Sequence, residues 1–84
     1  MIYLKWTSEE FATLRDDALY TEIDDDGFVQ REVAVTPDGS VSHQAQPSLE
    51  QPGWFGLSRL SWAMLESNIS RSEFERVWRL TGTA

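Results

Sequence analysis

The chain has 84 residues, a formal net charge of −7 and no cysteine. This length predicts a single domain over residues 1–84, and the lack of cysteine excludes a disulfide framework and thiol chemistry. The excess of acids disfavours direct binding to nucleic acid, which requires clustered lysine and arginine. It indicates either solubility alone, the favoured interpretation, or a basic protein partner. No segment has the pattern of a signal peptide or a membrane span, so we expect a cytoplasmic protein with no membrane partner.

The N-terminal segment predicts a strand followed by a short helix. Apolar residues at positions 2, 4 and 6 alternate with Tyr3 and Lys5, which indicates a strand over residues 2–6. Thr7 and Glu10 have the spacing of a capping box, so we expect a helix over residues 8–15.

The central region predicts an antiparallel meander. Three β-prone runs at 18–24, 28–36 and 40–44 are separated by two turns that contain glycine. Asp26-Gly27 suits a tight hairpin, and Thr36 to Gly39 fits a type I turn with a bulge at the glycine. Alternation predicts one buried and one wetter face. It assigns Val29, Val33 and Val35 to the same side as Arg31, opposite Gln30, Glu32 and Ala34.

The C-terminal region predicts two helices. Residues 57–65 fit either a helix or a strand, and the good helix formers at their end favour a helix over 58–66. Ser70 and Glu73 form a second capping box, and Phe74, Val77 and Trp78 form an apolar stripe, which predicts a helix over 71–80. The predicted fold is α+β, with order β-α-β-β-β-α-α and the helices packed on one face of a small antiparallel sheet.

Few residues suggest catalysis or metal binding. His43 is the single histidine, and Ser40 and Ser42 are near it in sequence, but no nucleophile-elbow motif accompanies them. A strand histidine bonded to a neighbour is the favoured interpretation. The acids that precede Gly27 suggest a calcium loop, but its twelfth position, which requires glutamate, is Val35. We therefore expect no catalytic residue, no metal and no cofactor.

The candidate partner-binding residues are acids of the meander and two aromatic residues: Asp24, Asp25, Asp26, Glu22, Glu32, Trp54 and Phe55. The three aspartates occupy the tip of a predicted hairpin, and the two glutamates are expected on the wetter strand surface. Trp54 and Phe55 lie between glycines, where large aromatic residues serve either as core or as an interface anchor.

Several short segments together resemble a group of small, largely uncharacterised bacterial proteins of the immunity type. The segments are Trp6, Leu-Tyr-Thr-Glu-Ile-Asp at 19–24, Val-Gln-Arg-Glu-Val at 29–33, Asp-Gly at 38–39 and Glu-Phe-Glu-Arg-Val-Trp at 73–78. The pattern they resemble is a Trp, a Leu-Tyr-Ser-Glu-Leu-Asp-like strand, a Val-Arg-Lys-Val-like strand, an Asp-Gly turn and a Glu-Phe-Glu-x-x-Trp helix. The resemblance implies an immunity-type or accessory binding protein and transfers no catalytic residue.

Three functional hypotheses follow from these observations. The leading one is a non-enzymatic acidic binding protein that neutralises or regulates a basic protein partner, most concretely an immunity protein that inhibits a toxin. The second is a phage-type inhibitor that blocks a nucleic-acid-binding defence protein by charge mimicry. The third, from a different class, is a small hydrolase that uses His43 with a serine and an acid.

Overall fold

The fold is a four-stranded antiparallel sheet with one short helix packed against it. The computed structural model describes residues 1–7, 9, 17–46 and 66–80. The strands lie side by side in chain order and are β1 (Ile2–Trp6), β2 (Ala18–Ile23), β3 (Val29–Val35) and β4 (Val41–Ala45); the helix is α1 (Arg71–Arg79). The predicted α+β class, the meander, the N-terminal strand and the last helix are confirmed, with bounds that differ by a single residue at most. The helices predicted at 8–15 and 58–66 fall almost entirely outside the described residues.

Both predicted turns form as their sequences indicate. Gly27 has φ 95° and Gly39 has φ 92°, values that disfavour any residue with a side chain. The Gly39 amide donates to the Thr36 carbonyl at 2.9 Å, which closes the expected type I turn. These turns hold β2, β3 and β4 in the register of a meander.

Two irregularities in the register change which side chains share a face. Glu22 lies opposite Arg31 and Ile23 opposite Val29, so Gln30 is an extra residue in β3. Val29 therefore points away from Arg31, and the prediction that they share a side is wrong. A second shift places Ala34 opposite His43 and Val35 opposite Val41. Single-strand periodicity misses both shifts because a bulge inverts the alternation beyond it.

The sheet is buried on both of its faces. One face, here called the helix face, carries Tyr3, Tyr20 and Val33 and packs against Phe74 and Val77 of α1. The opposite face, here called the far face, has its own cluster, formed by Leu4, Trp6, Leu19, Ile23, Val29 and Ala34. The prediction of one wetter face is therefore wrong. The alternation pattern counts tyrosine and glutamate as polar residues that face solvent. Both residue types are buried here, because polar atoms can be buried when they are hydrogen-bonded.

The outer edge of β1 is covered by the residues that lead into α1. Ser67 Oγ accepts from the Tyr3 amide at 2.9 Å, and Asn68 Oδ1 accepts from the Lys5 amide at 2.8 Å. The backbone N–H of Asn68 donates to the Tyr3 carbonyl at 3.0 Å. These bonds satisfy groups that an open edge strand would leave unpaired, and they anchor the start of the helix beside β1.

Local sequence accounts for the start of α1. Ser70 adopts an extended conformation and its side chain accepts from the Glu73 amide at 3.0 Å, as expected for an N-cap. Ile69, directly before the cap, packs against the helix-face cluster that contains Phe74, as in a hydrophobic staple. Arg76 and Arg79 in the last turn complement the helix dipole.

Replacement of Phe74 by alanine should destabilise the fold strongly. The side chain extends from α1 toward the sheet and is fully buried, with its ring centroid 5.4 Å from that of Tyr3. Removal of such an aromatic group costs about 3–5 kcal/mol. Urea unfolding measures the loss, with Ser72→Ala on the exposed side of the same helix as control. An unchanged midpoint for Phe74→Ala would contradict the packing of α1 described here.

Candidate functional site

The turn between β2 and β3, residues 24–27, presents the acids predicted to bind a partner. Asp25 and Asp26 are exposed, and the Asp25 side chain retains 92% of its accessible surface. Asp24 has a different role, because its Oδ1 accepts from the amides of Asp26 and Phe28, each at 2.9 Å. Asp24 Oδ2 accepts from Gln30 Nε2 at 2.9 Å. Asp24 therefore holds the turn, while Asp25 and Asp26 project from it, with the N-terminal ammonium of Met1 3.6 Å from Asp25 Oδ1.

An aromatic residue that the sequence analysis did not select lies beside this turn. Phe28 is 40% exposed, and its backbone exchanges two hydrogen bonds with Asp24. An exposed aromatic on a rigid turn is a usual form of interface anchor. The sequence signal that could have identified Phe28 as exposed is its position directly after Asp-Gly, since residues at a hairpin turn usually lie on the surface.

Glu22 is buried rather than solvated, so that part of the prediction is wrong. Its residue exposure is 7%, and it lies on the helix face under α1. Arg31 binds it through two parallel contacts, Nε to Oε1 and Nη2 to Oε2, both 2.8 Å. The Tyr3 hydroxyl also donates to Oε2 at 3.0 Å. With its oxygens occupied inside the protein, Glu22 is a structural residue in this fold.

Arg31 joins the sheet to the helix. Besides Glu22 on β2, its guanidinium donates from Nη2 to Oε1 of Glu75 on α1, with a second contact from Nη1 to Oε2 at 3.4 Å. The guanidinium carbon lies 4.9 Å from the Phe74 ring centroid and 5.1 Å from that of Trp78. Sequence reasoning missed this cluster, since Arg31 and Glu75 are 44 residues apart in the chain.

The charged groups of this cluster shift one another's pKa values. Hydrogen bonds from Arg31 are the main cause that lowers the pKa of Glu22, and they likewise lower the pKa of Glu75. The same bonds, to Glu22 first and then to Glu75, raise the pKa of Arg31. Burial, followed by the bond to Glu22, raises the pKa of Tyr3. Both glutamates are therefore ionised at neutral pH, and the guanidinium is shared between them.

Glu32 is also buried, and the prediction that it is solvated is wrong. It is 0% exposed and lies on the far face, where its Oε2 is 2.9 Å from Nε2 of His43. This matches the expectation of a strand histidine bonded to a neighbour. The pair has the relation of a base to an orienting acid, as a hydrolytic site requires. The nearby hydroxyl of Ser42, however, donates to Asp17 Oδ2 at 3.0 Å and to the Ala34 carbonyl at 3.4 Å.

The predicted partner-binding residues do not form one surface. Asp25 and Asp26 project from the β2–β3 turn, Glu22 lies beneath α1, and Glu32 lies on the far face. Trp54 and Phe55 lie outside the described residues, so their part in binding stays a prediction. The exposed candidate surface is therefore the acidic turn, defined by Asp25, Asp26 and Phe28.

The described residues contain no metal-binding cluster and no membrane-spanning helix, and the chain matches no protein with which it was compared. Among residues 1–7, 9, 17–46 and 66–80, no three histidine or acid side chains form a group that could hold a metal ion. No helix in the same part of the chain is long and apolar enough to cross a membrane. Comparison with protein-family models, with curated proteins and with solved structures finds no match. Function is therefore inferred from the geometry of the described residues.

Replacement of Arg31 by glutamine should destabilise the protein. The change leaves the nearly buried carboxyl group of Glu22 without its main partner, and it removes the link to Glu75. Loss of one member of a buried pair costs about 3–5 kcal/mol, and the partial exposure of this cluster places the expected loss near the lower end. Urea unfolding measures it.

The control for this variant is Arg76→Gln, which removes the same charge from a surface pair with Glu73 at 3.7 Å. An exposed pair of this kind contributes at most about 1 kcal/mol. Equal losses in the two variants would contradict the role assigned to Arg31.

Arg31 should also determine how stability depends on pH. Folding lowers the pKa of Glu22 and Glu75, so their stabilisation is present above the unfolded value, about 4.3, and is lost as pH falls through the folded values. We expect stability to fall more steeply on acidification in the parent than in Arg31→Gln. Thr36 lowers the pKa of Asp38 in both proteins, so that contribution cancels. Urea unfolding across the acidic range measures the slopes, and parallel slopes would contradict this assignment.

Proposed function

We propose that the protein is a non-enzymatic acidic binding protein that neutralises or regulates a basic protein partner. The most concrete form is a bacterial, cytoplasmic immunity protein that inhibits a toxin by covering a basic patch used on nucleic acid. The observation that carries the proposal is the acidic turn, where Asp25 and Asp26 are exposed on a backbone held by Asp24. The net charge of −7 and the resemblance to immunity-type proteins support the same interpretation.

The rigidity of the acidic turn supports binding to a folded partner. A group held in place before binding loses little conformational freedom in the complex. The Asp24 side chain accepts three hydrogen bonds, and Gly27 provides the left-handed backbone, so the turn is ordered without a partner. Exposed carboxylates raise the association rate with a basic surface, and Phe28 supplies apolar contact area next to them.

Charge mimicry by a phage-type inhibitor remains a second form of the same activity. The acidic turn would then occupy the nucleic-acid cleft of a defence protein, and the two forms differ in partner rather than in binding chemistry. The third hypothesis, a hydrolase, has one favourable observation, the contact between Glu32 and His43. The described Ser42 hydroxyl is bonded to Asp17 and Ala34, so it supplies no nucleophile for that pair.

The double variant Asp25→Asn/Asp26→Asn tests the proposal directly. Asp24 is left unchanged because its carboxylate holds the turn. Parent and variant are each immobilised and exposed to a lysate of the native host, and the retained proteins are identified by mass spectrometry. We expect a basic protein that the parent retains and the variant loses, with slower, less salt-dependent association when that protein is purified. The melting temperature should not change, since exposed charges contribute little to stability.

The matched control is Glu9→Gln/Glu66→Gln, which removes the same number of exposed charges outside the turn. It should retain the partner with parental kinetics. Phe28→Ala should leave association unchanged and raise the dissociation rate, as loss of an apolar anchor does. Equal effects of the turn variant and the control would show that net charge, rather than the acidic turn, attracts the partner, and would overturn the proposal.

A further inference from the structure

A groove lined by arginines runs along α1. It has a volume of about 450 Å³, is open to solvent, and is lined by Arg71, Ser72, Glu75 and Arg79. Among the described residues, Glu75 alone contributes a carboxylate to the wall, and that carboxylate is already bonded to the guanidinium of Arg31. The groove therefore presents two cations and a hydroxyl, in a chain whose net charge is −7.

The two lining arginines differ from the other described arginines in their pairing. Arg31 binds Glu22 and Glu75, and Arg76 pairs with Glu73 at 3.7 Å. Among the residues that the structure describes, no carboxylate comes within ion-pair distance of Arg71 or Arg79. Both are exposed, so their charge is available to a ligand.

The spacing of these two arginines limits the shape of a ligand that engages both. Positions 71, 75 and 79 are successive turns of one helical face, and a rise of about 1.5 Å per residue separates Arg71 from Arg79 by about 12 Å. A ligand with two anionic groups at a similar spacing can engage both arginines. An extended peptide advances about 3.3 Å per residue and its side chains alternate, so acids four residues apart lie on one side at about this distance.

We propose that this groove binds an extended acidic peptide segment of a partner protein. One carboxylate is held by Arg71 with the Ser72 hydroxyl beside it, and a second is held by Arg79. Arginine binds carboxylates through paired hydrogen bonds, which suits a ligand with two discrete acids. A long polyanion such as nucleic acid fits less well, because the whole chain repels it. The site is separate from the acidic turn and opposite to it in charge.

The bond between Glu75 and Arg31 keeps the groove receptive to anions. Glu75 stands between the two lining arginines and would otherwise be their nearest carboxylate on the helix face. Arg31 draws it to the sheet side, while Phe74 and Trp78 hold the guanidinium in place. Capping by Ser70 fixes the first helical turn, so Arg71 and Ser72 project from an ordered backbone.

The test measures binding of a fluorescein-labelled peptide that has two glutamates four residues apart in an otherwise glycine-serine chain. We expect saturable binding to the full chain by fluorescence anisotropy at low ionic strength, weakening as salt is added. In Arg71→Gln/Arg79→Gln the affinity should fall by about tenfold, the loss expected for two exposed charge-assisted contacts. Thermal melts confirm that the variant folds, since neither arginine is buried.

Three comparisons make the result decisive. Arg76→Gln lies on the same helix and should bind the peptide within about twofold of the parent, because its charge is already paired with Glu73. A peptide with glutamine in place of glutamate should not bind. Equal loss in Arg76→Gln, equal binding of the glutamine peptide, or tighter binding of single-stranded DNA than of the acidic peptide would each overturn the proposal.

Discussion

The contact of Arg31 with Glu22 and Glu75 is the interaction on which the rest of this structure depends. The buried side chains of Phe74 and Val77 pack α1 against the helix face, and Arg31 adds a charged link between the middle of the sheet and the helix. Its position is fixed on three sides, by Glu22 below, Glu75 above and the rings of Phe74 and Trp78 alongside. A guanidinium suits this place because its planar donors satisfy two carboxylates while its faces pack on aromatic rings.

Two bulges give the small sheet chemically different faces. The extra residue at Gln30 turns Val29 toward the far face and leaves Arg31 beneath α1. The second register shift, near the end of β3, reverses the alternation of side chains in β4. As a result Val41 packs on the helix face, while His43 lies with Glu32 on the far face. Regular strands would have mixed these residues, placing an arginine and a histidine on one side. The bulges thereby separate the Arg31 cluster from the Glu32–His43 pair.

The exposed charges are also separated. Acids project from the β2–β3 turn, while the groove on α1 presents two exposed arginines that pair with no carboxylate in the described part of the chain, although the chain as a whole is strongly acidic. Each surface contains an acid with a structural role: Asp24 orders the acidic turn, and Glu75 in the wall of the groove is bonded to Arg31. At the acidic turn and at the groove, one acid forms structural hydrogen bonds inside the protein. The charged side chains beside that acid are the ones exposed to a partner. A small protein can in this way offer two surfaces of opposite sign without a large binding cleft.

The sequence by itself determined the elements whose signals are local. Alternation, the two glycine turns and the Ser70 cap specify the four strands and α1 to within a residue, because each depends on backbone preferences of adjacent residues. It likewise indicated that Asp25 and Asp26 are exposed, since a hairpin tip has no neighbours to bury them. The tertiary structure decided the fate of Glu22 and Glu32. Both appear as outward-facing acids along the chain, yet both are buried because Arg31 and His43 meet them across strands. Pairing across a sheet depends on register, bulges and the placement of a distant helix, and none of these is encoded within a single strand.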